Sequence, residues 1–389
     1  MSDQTVEIIR FENKTKSDKR WLRRFVDFHW SHYAEESQYV PLLDYEYLGF
    51  SLIGIKGFFE SDNLFFKHAD MMWFLALQKE KVVGRCIAFI NKKHNRHWKD
   101  EIGFFGLFEC IEDEKIAAQL LDSAKLWLKE KGMKTMRGPV NLPVNEATPG
   151  VMTEGFDSRP VMYYHYNKPY YFEMLKNCGL KPVKRVLSWE VGVQDTFPEK
   201  ITRLAQKIIQ RYNIRLENWG ERSINDRKHE MLNIYNEAWN DNWGFVPFTQ
   251  EEFFRIIDDM MLIMDKQMFT FLYVKDEAAA FIGAVPNVTE KMRPISWCGR
   301  CELLRAVKML MGARHTEGFR LGYMGVRPKF RRLGLDGVLL QCLKHYAEKK
   351  QYVYCDMGWV LEDNTMTIRA IDLFEAKVSK IYTILQTEI

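Results

Sequence analysis

The chain has 389 residues, 47% of them hydrophobic, which is enough for two packed cores. Its 56 basic and 52 acidic residues give a net charge of +4, too balanced to indicate a nucleic-acid-binding protein with a segregated basic face. No apolar run reaches the ~18 residues of a membrane-spanning helix, the amino terminus lacks the apolar core of a secretion signal, and the scattered cysteines are typical of reduced thiols, so we expect a cytoplasmic protein.

The amino half alternates strand and helix patterns. Hydrophobic periodicity predicts two hairpin strands, a strand, a long helix, a strand, a helix and a final strand, at residues 72–78, 82–90, 103–109, 112–129, 134–137, 169–177 and 186–193. The turn before the long helix is acidic and lacks glycine. It is therefore a poor site for an anion.

Two segments are polar, aromatic and without clear periodicity, at residues 141–171 and 239–247. Long loops of this kind often carry binding surface, although they also pack simply for stability. We expect substrate contacts from side chains in these loops, namely Asn141, Asn145, His165, Tyr166, Asn167 and Trp243.

A pair of cysteines, Cys298 and Cys301, has the spacing of a thioredoxin-type redox site. The βαβ unit that leads into such a site is missing, and two thiols supply only half of a zinc site. We interpret the pair as a coincidence within an irregular insert at residues 285–317, and we expect no metal site.

The carboxyl half shows a hairpin followed by a strand, a helix, a strand, a helix and a last strand. These elements are predicted at residues 269–274, 278–284, 323–326, 338–348, 352–359, 366–376 and 381–386.

The loop between strand 323–326 and helix 338–348 is the most informative segment of the chain. It carries Pro328, two glycines and four cations, Arg327, Lys329, Arg331 and Arg332. Amides that turn around glycines into a helix N-terminus bind anions, because the first-turn N–H groups lack intrahelical partners and the helix dipole favours negative charge. The patterns of a P-loop and of a dinucleotide-binding GxGxxG turn are both absent. The loop therefore predicts a pyrophosphate site of another kind.

Val326, Pro328, Arg331 and Gly334 match, in register, the pattern V-x-P-x-x-R/Q-x-x-G-x-G/A. The segment resembles motif A of the GNAT superfamily of N-acetyltransferases, whose loop amides bind the pyrophosphate of coenzyme A and whose preceding strand pairs with the pantetheine arm. The resemblance implies donor contacts from Met324, Gly325, Val326, Arg331, Arg332, Leu333, Gly334, Leu335, Gly337 and Asn364.

One position departs from motif A. Its last small residue is Asp336 here, and the glycine is displaced to Gly337. A carboxylate at the mouth of a phosphate site is unfavourable unless it points away or caps the helix.

The order of elements in the carboxyl half is that of a GNAT domain, and the amino half repeats it without the phosphate loop. We therefore expect an α+β (mixed α/β) fold with two tandem GNAT-like domains, each a central mixed sheet flanked by helices. The first, residues 1–195, is expected to be degenerate and to contribute substrate-binding loops. The second, residues 196–389, is expected to hold the donor.

Several phrases, among them Gly84-Arg85, Arg137-Gly138-Pro139 and Asn242-Trp243-Gly244-Phe245-Val246-Pro247, resemble a group of bacterial proteins, the YghO-like acyltransferases. The resemblance covers nearly the whole chain. The group's distant relatives include bacterial enzymes that acylate a sphingoid-base amine, and Fem-type aminoacyl transferases share the doubled architecture.

Acyl transfer from a thioester to an amine needs a base for the ammonium and a donor to the oxyanion. The resemblance places this chemistry between the motif A strand and the next strand, where Asp356 and Glu362 are the available acids. The tyrosine that usually acts as general acid is replaced by Phe374, and Tyr382 is the nearest substitute in sequence. A solvated carboxylate at a strand end is the simpler interpretation of Asp356, whereas Asn364 could equally be a helix cap or a pantetheine contact.

The leading hypothesis is an N-acyltransferase that moves an acetyl or longer acyl group from coenzyme A to a primary amine, on a small molecule or a lipid. A second hypothesis is a transferase that takes an aminoacyl or acyl group from tRNA or acyl carrier protein, whose phosphopantetheine would also suit the cations at residues 327–332. A third is a non-catalytic protein that binds or senses acyl-CoA, which Phe374 and Asp336 favour.

Overall fold

The computed structural model describes residues 5–50, 56–144, 147–195, 199–293 and 300–389, and the chain forms two compact units. Unit 1 consists of Met1–Val186, Met292–Arg305 and Lys380–Ile389, and unit 2 of Leu187–Lys291 and Ala306–Ser379. These units and the predicted domains, residues 1–195 and 196–389, share most of their residues. They differ at residues 187–195, which belong to unit 2, and at Met292–Arg305 and Lys380–Ile389, which belong to unit 1 although they lie far from its main segment in sequence.

The strands are β1 Val6–Phe11, β2 Ala69–Gln78, β3 Lys81–Asn91, β4 Ile102–Cys110, β5 Thr135–Gly138, β6 Val151–Glu154, β7 Lys181–Gly192, β8 Ile214–Asn218, β9 Phe269–Val274, β10 Glu277–Pro286, β11 Gly318–Val326, β12 Tyr354–Leu361 and β13 Lys377–Glu388. The α-helices are α1 Lys16–His32, α2 Asp44–Leu48, α3 Lys92–Trp98, α4 Glu114–Glu130, α5 Tyr171–Asn177, α6 Glu199–Tyr212, α7 Ile224–Trp239, α8 Gln250–Met260, α9 Glu302–Gly312, α10 Leu335–Lys349 and α11 Thr365–Asp372. The predicted α+β fold class is confirmed.

Unit 1 has a mixed sheet in the order β1-β2-β3-β4-β5-β13, with β6 pairing to β13. Neighbouring strands are antiparallel except β4 and β5, which are parallel. Helix α4 packs on β2 and β3 through apolar residues at helical spacing, from Ile116 to Leu128, all of them buried. Helix α1 also packs on β3.

Unit 2 has a mixed sheet in the order β7-β12-β11-β10-β9-β8, in which β11 and β12 are parallel. The strands from β8 to β11 pair antiparallel. Helix α10 packs on α6, β9 and β10, and α7 packs on β10 and β11. The sheet thereby fixes the C-terminal end of β11 beside the N-terminus of α10.

The elements around the motif A loop are observed with shifted bounds. The strand predicted at residues 323–326 is the end of the longer β11, and the helix predicted at 338–348 starts earlier, at Leu335. The helix predicted at 366–376 stops at Asp372. Among the described residues, no helix is both long enough and apolar enough to cross a bilayer.

Candidate active site

The parallel strands β11 and β12 of unit 2 separate after a short paired stretch. They pair from Gly318 to Leu321 on β11, with Leu321 opposite Met357 as the last pair. Strand β10 continues to pair with the other edge of β11 as far as Val326. The edge of residues 322–326 that faces β12 is therefore without a strand partner.

A cavity of about 410 Å³ occupies this gap. Its lining comes from five parts of unit 2: the end of α7, β11 with its following loop, the first turns of α10, β12, and α11. Among the expected donor contacts, Met324, Gly325, Val326, Arg331, Arg332, Gly334, Leu335 and Asn364 line it, whereas Leu333 and Gly337 do not.

A β-bulge lies where the gap opens. The register of β10 and β11 shifts so that Gly283 faces Tyr323 and Ala284 faces Leu321, which leaves Gly322 outside the ladder. Next to it, Nε of the buried Arg320 donates to the carbonyl of Gly358, 3.2 Å away on β12. This contact holds the two strands together just before they separate.

The loop after β11 ends in a glycine that starts α10. Gly334 is the N-cap of the helix, has φ +75°, and carries no side chain to accept from the first-turn amides. The positive φ favours glycine at this position, and a Cβ here would lie 2.8 Å from Cδ1 of Ile208 on α6, so the Ile208 side chain would have to shift. A Cβ on Gly337 would meet only an ordinary contact at 3.6 Å. The helix N-terminus thus lacks a side-chain cap, which is the arrangement that binds anions.

The four cations of the loop fall into two pairs. Arg327 is bound by Glu237 at 2.7 Å and by Glu277 at 2.9 Å, and Lys329 also pairs with Glu277. Arg331 and Arg332 line the cavity, and neither has a carboxylate partner among the described residues. One NH2 of Arg331 donates to the carbonyl of Ala238 at 2.7 Å. Their charge is available to an anionic ligand.

Asn364 and Asp336 are further polar residues of the cavity wall. Asn364 caps α11 by accepting from the amide of Thr367 at 3.3 Å, so its capping role is observed. Asp336 lies in the first turn of α10, is half-buried, and lines the cavity. No hydrogen bond of its side chain to another described residue is found, so it does not cap the helix.

The predicted catalytic side chains are spread over the molecule. Asp356 is buried on β12 and accepts a hydrogen bond from Oγ of Ser188. It sits opposite Arg320, one register position before the strands separate, and is not part of the cavity lining. Glu362 is half-buried just beyond the end of β12, next to the lining residue Leu361.

The expected substitute for the tyrosine acid is placed elsewhere. Tyr382 belongs to unit 1, is fully buried, and donates its hydroxyl to the carbonyl of His165 at 2.8 Å. Phe374, at the position of the usual tyrosine, is a buried residue of unit 2.

The predicted substrate residues of the first loop lie in unit 1. Asn141 is buried and accepts from the amide of Leu107 at 2.7 Å, and Asn167 bonds the amide and carbonyl of Met152, so both hold main chain. Asn145 lies outside the described residues.

His165 and Tyr166 have strongly shifted pKa values. Burial lowers the pKa of His165 to about 4, and its Nε2 has no hydrogen-bond partner among the described residues. Burial, with the neighbouring Glu36, raises the pKa of Tyr166 to about 12, and the hydroxyl donates to Glu36 at 3.0 Å. The imidazole is therefore neutral, with a nitrogen that is not used by the fold.

Unit 1 contains counterparts of the strand-to-helix turn and of the gap between parallel strands, both in a closed form. The turn from β4 to α4 has only three residues, and the carboxylate of Asp113 accepts from the first-turn amides of Lys115 and Ile116. Strand β4 also separates from β5, but the amide of Val140 bonds the carbonyl of Phe105 at 2.7 Å and fills the opening. The expected loss of a donor site here remains a prediction.

The structure adds residues that the sequence did not single out. Nε1 of Trp239 donates to the carbonyl of Met324 at 2.9 Å, and Asn242 lines the cavity, whereas the predicted Trp243 does not. Gly322 lies in the middle of β11, just before the predicted strand 323–326, and a glycine inside a strand is a signal for a bulge.

Comparisons with known proteins identify relatives of the chain and solved structures with the same fold. No protein-family model matches the chain. It is 26% identical to Protein YghO of Escherichia coli over 97% of this chain and 95% of that protein, and 26% identical to a bacterial ceramide synthase of Caulobacter vibrioides over 78% and 79%. These relatives are consistent with the YghO-like group.

Two solved structures share the fold. A tandem GNAT protein from the clavulanic acid biosynthesis pathway matches with a TM-score of 0.55 and 10% identity, over 99% of this chain and 98% of that one. A GCN5-related N-acetyltransferase from Sphaerobacter thermophilus matches with a TM-score of 0.50 and 11% identity, over 98% and 95%.

Proposed function

From a chain with the tandem GNAT fold and YghO-like relatives, we propose an N-acyltransferase that takes an acyl group from coenzyme A and transfers it to a primary amine. The observation that carries the proposal is the cavity of unit 2. It joins an unpaired strand edge to a glycine-capped helix N-terminus within one space.

The donor would bind along this cavity. Its pyrophosphate would accept from the first-turn amides of α10 and pair with Arg331 and Arg332, because among the described residues no carboxylate caps these amides or pairs with the two arginines. Its pantetheine amides would pair with the edge of residues 322–326, as an added strand does. The indole of Trp239 donates a hydrogen bond to the carbonyl of Met324, and this bond would have to break when the pantetheine arm binds.

The reaction forms a bond between the amine nitrogen and the carbonyl carbon and breaks the bond from that carbon to sulfur. The ammonium loses one proton before attack and the new amide nitrogen another, and the leaving thiolate takes one up. Asp356 and Glu362 are the proposed bases. Main-chain groups at the Gly322 bulge are proposed to stabilise the oxyanion, since preorganised amides are the usual donors. Phe374 cannot protonate the thiolate, but coenzyme A thiolate is a sufficiently weak base to leave without an acid.

The acceptor is proposed to be a small-molecule or lipid amine, with unit 1 as the degenerate domain that contributes to its binding. His165 and Tyr166 remain the proposed acceptor contacts in unit 1, and Trp243 in unit 2. The similarity to a protein named as a bacterial ceramide synthase favours a lipid amine. A coenzyme A donor also fits a cytoplasmic location.

Two measurements test the proposal. Calorimetry with free coenzyme A is expected to give a saturable site in the full chain. Incubation with acyl-CoAs and a panel of amines, from polyamines to sphingoid bases, is expected to release free thiol only when an amine is present.

Each alternative has its own result. Tight binding without turnover on any amine would support a non-catalytic acyl-CoA sensor. Turnover with acyl carrier protein but not with acyl-CoA would support a carrier-dependent transferase. Absence of coenzyme A binding would refute the proposed site.

A further inference from the structure

A second, smaller cavity in unit 2 adjoins the proposed donor cavity. Its volume is about 60 Å³, and it shares Leu321, Leu340 and Met357 with the larger one. The rest of its lining consists of Val191, Gly192, Val193, Asp195, Leu343, Lys344, Cys355 and Phe374. The shared residues include the last pair of β11 and β12, so the two cavities meet where the strands begin to separate.

The inner wall of the small cavity is apolar. Leu343, Cys355 and Phe374 are all buried. Burial raises the pKa of the Cys355 thiol well above its ordinary value, so the thiol is neutral and acts as a small apolar group. A wall of this kind favours hydrocarbon over a polar group, because a buried polar group without a partner is costly.

The outer end of the cavity reaches the surface. Asp195 is exposed there, and Nζ of Lys344 donates to the carbonyls of Val193 and Asp195 at 2.7 and 2.9 Å. The charged groups are thus confined to the mouth. An aliphatic chain that is longer than the enclosed space could leave by this route.

We propose that the small cavity is an acyl-chain subsite, and that the donor carries an aliphatic acyl group of four or more carbons rather than acetyl. The inference rests on the proposed function, since a pantetheine arm along residues 322–326 brings the thioester to the junction of the cavities. Leu343 and Phe374 then set the acyl preference. The phenyl ring at 374 supplies apolar wall where a tyrosine hydroxyl would face the chain.

One water molecule takes ~30 Å³ in the liquid. A cavity of about 60 Å³ therefore has room for only a few methylene groups. Each methylene that is buried there is expected to raise donor affinity roughly fourfold. Selectivity over acetyl should therefore build up within the first few carbons.

The test is calorimetry of the full chain with free coenzyme A, acetyl-CoA, butanoyl-CoA and octanoyl-CoA. We expect butanoyl-CoA and octanoyl-CoA to bind at least tenfold more tightly than acetyl-CoA. Leu343→Trp fills the subsite and is expected to bring the octanoyl-to-acetyl affinity ratio close to one, with free coenzyme A binding unchanged. Val353→Trp adds the same ring at an exposed site outside both cavities and is the matched control.

If Leu343→Trp does not fold, a second variant provides the test. Phe374→Ala only removes atoms, and it is expected to change the octanoyl-to-acetyl ratio at least threefold. Equal affinity of the intact protein for all the acyl-CoAs, or ratios that neither variant changes, would overturn the subsite. Failure of free coenzyme A itself to bind would instead refute the proposed function, so the two failures are distinguishable.

Discussion

The two units build the same strand-to-helix turn in opposite ways. In unit 1 three residues join β4 to α4, and the carboxylate of Asp113 binds the amides at the helix start. In unit 2 eight residues join β11 to α10, and Gly334 starts the helix without a side-chain acceptor. A helix N-terminus needs an anion or an acceptor, and a chain can supply its own or leave the place for a ligand.

The gaps between the parallel strands also differ, because the gap is filled in unit 1 and open in unit 2. In unit 1 the main chain of Val140 enters the gap and bonds Phe105. In unit 2 the gap is a cavity whose walls include two arginines without carboxylate partners among the described residues. The proposed difference in donor binding between the units thus depends on one loop length and one carboxylate.

The two units are expected to differ most in how much stability they lose at acidic pH. Burial lowers the pKa of His29, His94 and His165 to about 4 and that of His32 to about 3, and all four lie in unit 1. The histidines of unit 2, His229, His315 and His345, are exposed.

The sign of the effect follows from those pKa values. An unfolded histidine titrates near 6.5, so below that pH the unfolded chain of unit 1 takes up protons that the folded unit does not. The stabilisation is complete above pH 6.5 and is lost as the pH falls toward 4. From pH 7 to pH 5 we expect a loss of roughly 2 kcal/mol for each buried histidine. Hydrogen exchange followed by mass spectrometry, corrected for the intrinsic rate, should show unit 1 losing protection first, and the opposite order would contradict the assignment.

The parallel strand pairs of the two units, β11–β12 and β4–β5, carry different residues near the point where the strands separate. One register position before the separation, unit 2 pairs Arg320 with Asp356, whereas unit 1 pairs Gly103 with Met136. If Asp356 is the base, Asp356→Asn should lower kcat by roughly 10² to 10⁴ and remove the acid limb of the pH profile, with donor binding intact.

A control separates catalysis from packing. Ser188→Ala removes the hydrogen bond to Asp356 and keeps the carboxylate, so its effect on kcat should be much smaller. Full activity of Asp356→Asn would move the role to Glu362 or to a water.

Gly334→Asp would give unit 2 the acidic cap of unit 1. The added carboxylate would compete with the pyrophosphate for the helix amides, and coenzyme A should bind at least roughly tenfold more weakly, ~1.4 kcal/mol. Gly334→Ala introduces the same backbone strain and contact with Ile208 without the charge. Equal affinities of the two variants by calorimetry would show that charge at this turn does not matter.

Asp113→Ala tests the closed turn. Loss of the cap should lower the free energy of unfolding by about 1 kcal/mol, measured by urea denaturation. Titration with coenzyme A should still give one site per chain, before and after the substitution. A stoichiometry of two in the unmodified protein would show that unit 1 also binds the donor.

Asp336→Asn is expected to have the smallest effect, and in the favourable direction. Removal of a half-buried negative charge from the first turn of α10 should tighten coenzyme A binding by a few-fold, about 0.5 kcal/mol. Asp276→Asn changes the net charge equally at an exposed site and serves as the control. Weaker binding by Asp336→Asn would mean that this carboxylate helps to hold the donor.

The motif A loop could be predicted from the sequence because the features that define it lie within one short segment. Gly334 meets a backbone demand, and the cations and the flanking strand and helix patterns are contiguous, so the anion site could be predicted within a single segment. The fold class followed from the same patterns repeated along the chain.

Contacts between residues that are distant in sequence could not be predicted from the sequence. The indole of Trp239 reaches the carbonyl of Met324, 85 residues away, and no pattern within either segment shows this. The same holds for Tyr382, which follows Phe374 closely in sequence but completes the sheet of the other unit. Which of the proposed bases acts also depends on the third dimension and stays a prediction.

The exchange of chain segments has a consequence for how the protein is made. Residues 380–389 belong to unit 1, where β13 pairs with β5 at Leu385 and Gly138 and with β6 at Thr383 and Val151. A ribosome that has delivered only the first half of the chain therefore leaves an unsatisfied strand edge on β5, which is a template for wrong pairing. The sheet of unit 1 can be completed only after unit 2 has been synthesised.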